Sequence, residues 1–287
     1  MGTTKKKSKD RRSRSQRKKG WRTASSSDRH ELYELSVQNT EAEVEFIDKV
    51  WTQLRGRLAS SIREDFCGTA AASAEWVLAR DDNTAIGFDL DQEVLDWGIR
   101  RNSERLDEEQ LQRLQVHNAD VRAVQAERVQ TILAMNFSYF LFKTREDLRQ
   151  YFEHARDGLL DDGIFILDAY GGSESYEEME EEKDLDGFTY VWDQASYDPI
   201  TGDVVNHIHF RFPDETEMTK AFTYEWRLWS LPEIRELLEE AGFTNVTVWW
   251  EGNEEDSEEG NGVFEPAEHG EACPGWIVYI TAEKSSA

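Results

Sequence analysis

The stretch that decides the fold is REDFCGTAAAS, residues 63–73. Residues 61–66 have the composition of a short buried strand. The small residues 70–74, followed by Trp76, Val77 and Leu78, suit a helix lying close on a sheet. Between them is a tight turn. A strand, a turn and a helix N-terminus together present backbone N–H groups to a ligand. Turns of this kind usually hold two or three glycines, and this one holds only Gly68. The question is which ligand accepts such a cradle.

Outward from the turn, strands alternate with helices. Thr40 and Glu43 form a capping-box pattern, and Val44, Ile47, Val50, Trp51 and Leu54 follow at helical spacing. Residues 84–90 predict a second buried strand, and Val94, Leu95 and Ile99 a helix after it. Residues 114–118 and 129–136 predict a third and a fourth strand. Residues 145–160 read as a helix anchored by Leu148, Tyr151, Phe152 and Leu159, and 164–170 as a fifth strand. This alternation predicts an α/β fold with a parallel sheet.

The pattern then breaks. An acidic segment, 176–184, precedes three strand-like runs at 188–197, 203–212 and 217–228, separated by PITGD and PDET turns. Short turns between consecutive strands predict antiparallel pairing, so a second sheet is inserted at about 174–228. Helical signals then return: Ser230 and Glu233 form a capping box, Pro232 suits the first turn and Gly242 the C-terminal cap. Two closing strands, 243–250 and 275–282, flank an acidic loop at about 251–272 that lacks calcium-loop spacing.

Polar residues stand repeatedly at strand ends: Asp89 after the second strand, Asp120 after the third, Asn136 after the fourth and Asp168 near the end of the fifth. They predict one crevice along the carboxyl ends of the strands. Asp89 is placed to accept from ribose hydroxyls and Asp120 to meet an adenine amino group. A dinucleotide asks for G-x-G-x-x-G, because a pyrophosphate needs close backbone approach, and that pattern is absent. S-adenosylmethionine has no phosphate, and the missing glycines count much less against it.

The motifs resemble those of class I S-adenosylmethionine-dependent methyltransferases from about residue 30 onward. EDFCGTA (64–70) is similar to the first motif, D-L-G-C-G-T-G, with Phe66 and Ala70 in place of glycines. GFDLD (87–91), NADV (118–121) and AMNFSY (134–139) resemble the next three motifs in order, and LLDDGIFILDAYGG and LPEIRELLEEAGF the fifth-strand block and last helix. The resemblance implies a Rossmann-like seven-stranded methyltransferase sheet, with the antiparallel sheet inserted after the fifth strand. It implies S-adenosyl-L-methionine as cofactor, with Glu64 at its methionine end, Cys67, Gly68 and Thr69 in the loop, and Asp89 with Leu90 at the ribose. Asp120 and Val121 would lie beside adenine, Asn136 at the reactive end, and Tyr33 as a lid, with Phe137 and Tyr139 as further aromatic candidates.

The inserted sheet should shape the acceptor pocket. Tyr170 ends the fifth strand. Period-two alternation puts His207, His209 and Arg211 on one sheet face. Tyr170, His207 and His209 are therefore the candidate catalytic residues; Tyr224 to Arg227 are candidates to line the pocket. No metal site is expected. The fourth motif is not the N-P-P-Y type used on base amines, and no proline–cysteine pair suits attack on cytosine.

Charge divides the chain. The net charge is −26, but residues 1–22 sum to +10 and the remainder to −36. Residues 1–27 read as a disordered basic tail and 28–287 as the folded domain. The tail, mainly residues 5–22, suits a nuclear-import signal, a tether to nucleic acid or another anionic surface, or plain solubilisation. The acidic body repels phosphate backbones. Two cysteines and no stretch of 18 apolar residues suit a cytoplasmic chain without membrane insertion, or a nuclear one if the tail directs import. The leading expectation is a methyltransferase acting on nitrogen or oxygen of a small-molecule acceptor. The alternatives are a tail-recruited RNA or protein methyltransferase and a non-catalytic cofactor-binding scaffold. Oligomeric state is not legible.

Overall fold

A computed structural model describes residues 22–253 and 260–284. Two N-terminal helices come first, α1 (Arg29–Val37) and α2 (Thr40–Arg55). The cap of α2 is Asn39, whose side chain accepts from Ala42 N–H; the expected Thr40 cap is one residue late. The alternating unit follows as β1 (Ser61–Asp65), α3 (Ala71–Ala79), β2 (Thr84–Asp89), α4 (Gln92–Ser103), α5 (Glu108–Gln112), β3 (Leu114–Asn118), β4 (Val129–Ala134), α6 (Arg145–Asp157) and β5 (Leu159–Gly171).

After β5 the chain builds a separate antiparallel sheet of β6 (Met179–Leu185), β7 (Phe188–Tyr197), β8 (Asp203–Arg211) and β9 (Glu217–Arg227), in that order. The acidic segment expected only as a connection is thus its first strand. The five residues between Met179 and Leu185 are all charged, so no alternation marks the strand, and a charged edge strand of this kind resists pairing with other chains. Helix α7 (Leu231–Glu240) has the Ser230–Glu233 capping box and Pro232 in its first turn.

The strands β10 (Phe243–Asn253), β11 (Gly260–Ala267) and β12 (Trp276–Lys284) complete the main sheet. Its order is β11-β10-β12-β5-β4-β1-β2-β3, with β3, β2, β1, β4 and β5 parallel and β12 antiparallel to β5. The seven expected strands are present, and β11 adds an eighth at the edge by pairing with β10. Part of the expected acidic loop is therefore a strand; residues 254–259 lie outside the described residues, as do 1–21 of the basic tail. Residues 22–27, read as tail, instead meet the domain: Arg22 pairs with Glu31 and Ala24 N–H donates to Thr216 Oγ1.

Each face of the main sheet carries its own core. On one, Ile47, Val50 and Trp51 of α2 meet Trp76 of α3, Ile62 and Ile166. On the other, Tyr151 and Phe152 of α6 meet Leu237 of α7, Phe165 and Phe140. Helix α1 packs Leu32 against Phe188, Ile208 and Phe210 of the inserted sheet. That contact sets α1 and the inserted sheet beside the carboxyl ends of the parallel strands. Among the described residues no helix is long and apolar enough to cross a membrane.

Candidate functional site

Two adjoining cavities lie in this region. The inner one, of about 360 Å³, is lined by all ten residues expected at the cofactor: Tyr33, Glu64, Cys67, Gly68, Thr69 and Asp89, with Leu90, Asp120, Val121 and Asn136. Its floor is the β1–α3 turn. Phe66, Gly68 and Ala70 there all have left-handed backbones, with φ of 58°, 53° and 55°. So the two residues in place of glycines adopt the glycine conformation, at about 1–2 kcal/mol each.

The surrounding contacts fix that backbone. Gly68 N–H donates to Asp89 Oδ2 at 2.8 Å, and Asp91 N–H to Asp89 Oδ1 at 2.9 Å, so one carboxylate joins the turns after β1 and β2. Thr69 Oγ1 donates to Glu34 of α1 at 2.8 Å, and buried Asn102 of α4 donates to Thr69 O at 3.0 Å. A side chain at Gly98 would stand 2.3 Å from Thr69 O, which explains a glycine inside α4. Gly68 has room for a methyl group, its nearest neighbour being Val94 Cγ1 at 3.8 Å. Gly68→Ala should therefore cost about 1–2 kcal/mol, all of it conformational. Ala70→Gly should be close to neutral, because relief of strain offsets a lost buried methyl and a freer unfolded chain. Urea-unfolding midpoints of the two variants check both values.

Glu64 is buried, with Oε2 accepting from Ser73 N–H at 3.0 Å and Ser73 Oγ at 2.5 Å. It thus serves the N-terminus of α3, where Ala70 supplies no side-chain cap. Oε1 has no hydrogen-bond partner among the described residues. Burial pushes this carboxyl up to about 8. Asp120 has a different environment: Arg122 Nε and a terminal guanidinium nitrogen donate to its two oxygens at 3.1 and 2.7 Å. That hydrogen bonding, against the opposing effect of burial, holds Asp120 below the usual carboxylate range.

Beneath the cavity, Arg63 and Asp65 form a buried bidentate pair at 2.6 and 3.0 Å. Tyr151 OH donates to Asp65 Oδ2 at 3.0 Å, and Arg63 donates to Val121 O at 3.2 Å. At the other end, Asn136 and Phe137 are left-handed too, with φ of 57° and 58°. Asp168 accepts both of their N–H groups, at 2.8 and 2.9 Å, and burial pushes its carboxyl up to about 7. Asp168 therefore shapes the turn that carries Asn136 and lines neither cavity itself. Four of the seven non-glycine residues with left-handed backbones among the described residues thus lie in this region, and such strain persists where surrounding contacts over-determine it.

The outer cavity, of about 470 Å³, lies between β5, the inserted sheet and the β12 end of the main sheet. It shares Tyr33, Asn136, Tyr224 and Trp226 with the inner one, so the two communicate. Tyr170 lines it, and its hydroxyl accepts from Asn206 at 3.3 Å. Phe137 lines it as well, whereas Tyr139 is fully buried behind, donating to Asp168 O.

The two histidines are elsewhere. Ile208 lines the cavity and Asn206 points to Tyr170, so His207 and His209 occupy the opposite sheet face. His207 Nδ1 is 2.9 Å from Thr223 Oγ1, and His209 Nε2 is 3.2 Å from Asp193. Neither lines the inner or the outer cavity, which corrects their reading as catalytic candidates. The apolar residues Val204, Ile208 and Phe210 carry the signal that decides the face, and it assigns the histidines to the face away from the cavity, where both are buried. The same parity keeps Tyr224 and Trp226 in the site and turns Glu225 and Arg227 out of it. No group of metal-ligating side chains occurs among the described residues. Arg122, His30 and Gln38 also line the inner cavity and were not anticipated.

No protein-family model matches the chain, and no curated protein matches it in sequence. Solved structures do. An S-adenosylmethionine-dependent methyltransferase of Clostridium acetobutylicum superposes with a TM-score of 0.65 at 16% identity, over 89% of this chain and 97% of that one. CalS10, an amino pentose methyltransferase of Micromonospora echinaspora solved with S-adenosylmethionine bound, gives 0.63 at 13%, over 89% and 96%. KedS8, a sugar N-methyltransferase of a Streptoalloteichus species, gives 0.61 at 16%, over 90% and 93%. The chain therefore has the class I S-adenosylmethionine-dependent methyltransferase fold.

Proposed function

We propose that this protein is an S-adenosylmethionine-dependent methyltransferase acting on nitrogen or oxygen of a small-molecule acceptor. The observation that carries the reading is convergence: ten residues scattered from Tyr33 to Asn136 line one cavity, which opens into a second of small-molecule size. The fit is also chemical. Carboxylates of Glu64, Asp89, Asp91 and Asp120 line the inner cavity, and its one guanidinium among the described residues, Arg122, is already paired with Asp120. Such a lining suits a cationic ligand without phosphate. When bound, S-adenosylmethionine supplies an electrophilic methyl group on a sulfonium.

The chain's own residues then have definable tasks. Glu64 Oε1 is free to pair with the amino group of the methionine end. Asp89 is free to accept from ribose hydroxyls through lone pairs beyond those used by Gly68 and Asp91. Asn136, shared by both cavities, stands where cofactor and acceptor would meet. Displacement at a methyl carbon needs alignment and exclusion of water more than acid–base help. Tyr33 suits that purpose: it lines both cavities and packs on Phe222 of the inserted sheet, ring centroids 5.1 Å apart, which ties α1 to that sheet at the junction of the cavities.

The test is calorimetry with S-adenosylmethionine and S-adenosylhomocysteine, followed by methyl-transfer assays on small acceptors. Asp89→Ala should weaken cofactor binding by about 1–3 kcal/mol. Wild-type affinity in that variant would remove Asp89 from the site, and no binding by the natural chain at millimolar cofactor would end the proposal.

A further inference from the structure

The outer cavity has a one-sided chemistry. Its walls are aromatic, with Tyr170, Tyr190, Trp192, Tyr224 and Trp226 among them. The rings crowd together: Tyr224 and Trp226 centroids are 4.5 Å apart, Trp192 and Tyr224 6.1 Å, and Tyr170 and Trp192 6.4 Å edge to face. Its charged lining residues are Glu174, Glu181 and Glu251, and among the described residues no Lys, Arg or His lines it. An acceptor phosphate or carboxylate inside would find three carboxylates and no counter-charge. The tyrosines add no compensating cation, and burial raises the Tyr170 hydroxyl to about 12, so it stays neutral.

We infer that the acceptor is an amine, bound as a cation among these aromatic faces and carboxylates, with no anionic group inside the cavity. This rests on the methyltransferase reading and sharpens it from nitrogen or oxygen to nitrogen. Aromatic faces attract ammonium groups, most strongly where water is excluded. The reaction requires a free lone pair, so a protonated acceptor first gives its proton to water or to a lining carboxylate. The nitrogen lone pair then forms the N–C bond, the C–S bond breaks with its electron pair passing to sulfur, and the positive charge moves from sulfur to nitrogen. A primary or secondary amine finally loses a further proton.

Charge therefore grows on nitrogen in the transition state, facing rings and carboxylates that stabilise it there more than in the neutral amine. Relative to the bound neutral amine from which attack occurs, that gain lowers the barrier of the transfer step; the ammonium form in which the acceptor binds shares it. An attacking alkoxide would meet the opposite situation, because its negative charge is repelled by the same carboxylates and no lining cation offsets them.

The experiment uses the full chain saturated with S-adenosylhomocysteine and two probes of nearly equal shape, choline and its uncharged analogue 3,3-dimethyl-1-butanol. Calorimetry or tryptophan quenching should show choline binding at least about tenfold more tightly, as expected of a desolvated cation on aromatic faces. Trp192→Leu and Glu181→Gln, each at unchanged S-adenosylhomocysteine affinity, should narrow that ratio. Equal affinity for the probes, tighter binding of the alcohol, or no choline binding at tens of millimolar would overturn the inference and leave the methyltransferase reading standing. Failure of S-adenosylhomocysteine itself to bind would instead remove that reading, and the inference with it.

Discussion

Arg63→Ala should destabilise the protein by about 3–5 kcal/mol, seen as an earlier urea midpoint at unchanged slope. Arg63 is 2% exposed and Asp65 1%, so the pair is desolvated. Removing the guanidinium strands the carboxylate, which keeps only the Tyr151 hydroxyl among its recorded partners. Burial already pushes the Asp65 carboxyl up, with Arg63 the main opposing influence; without Arg63 it would rise further. The arginine also packs over the Phe88 ring, 5.3 Å from its centroid, and donates to Val121 O. Its loss should therefore loosen the turn carrying Asp120 and weaken cofactor binding as a secondary effect. The double variant Arg63→Ala/Asp65→Asn removes the stranded charge and should recover part of the lost stability. If it is no more stable than Arg63→Ala, packing rather than charge carries the effect.

Around residues 63–73 two independent constraints agree on the fold. The parallel strands are bounded by turns and carry their polar residues at the carboxyl end, and topology forces those ends onto one edge. Asp89, Asp120 and Asn136 could thus be gathered without knowing any distance. The conformation of Phe66 and Ala70 could not be read, since only the contacts from Asp89, Glu34 and Asn102 show what holds a strained turn. Helix α1 is not legible because nine residues with five polar–apolar changes give no clear stripe; its Asp28 cap and packing on the inserted sheet decide it. Strand β11 contains Gly262 and Pro266 and takes its partner from β10. The His207 and His209 error was one of parity. Alternation puts the two on a common face, and the apolar residues interleaved with them, Val204, Ile208 and Phe210, show that it is the face away from the cavity.

Glu64→Gln should weaken cofactor binding by about 2–5 kcal/mol while leaving the fold intact. The amide oxygen can still accept from Ser73, so the N-terminus of α3 keeps its partner. What is lost is the charge. The Glu64 carboxyl is raised to about 8 from an ordinary 4.5, chiefly by burial and partly against the Ser73 hydrogen bonds. Between those values the folded chain holds a proton that the unfolded chain releases. Glu64 therefore makes stability fall as pH rises through this window, and Glu64→Gln should flatten that dependence. Binding reverses the preference. The amino group of an arriving methionine end favours the carboxylate, so the proton leaves on binding. Affinity should rise with pH from about 6 toward 8, and calorimetry in buffers of different ionisation enthalpy should show release of close to one proton near neutrality. In Glu64→Gln that release should vanish along with the affinity. Retained release would assign the proton to another of the raised buried acids, Glu43 or Asp168, each at about 7. Retained affinity would mean that Glu64 serves only α3, and the methionine end would need a different partner.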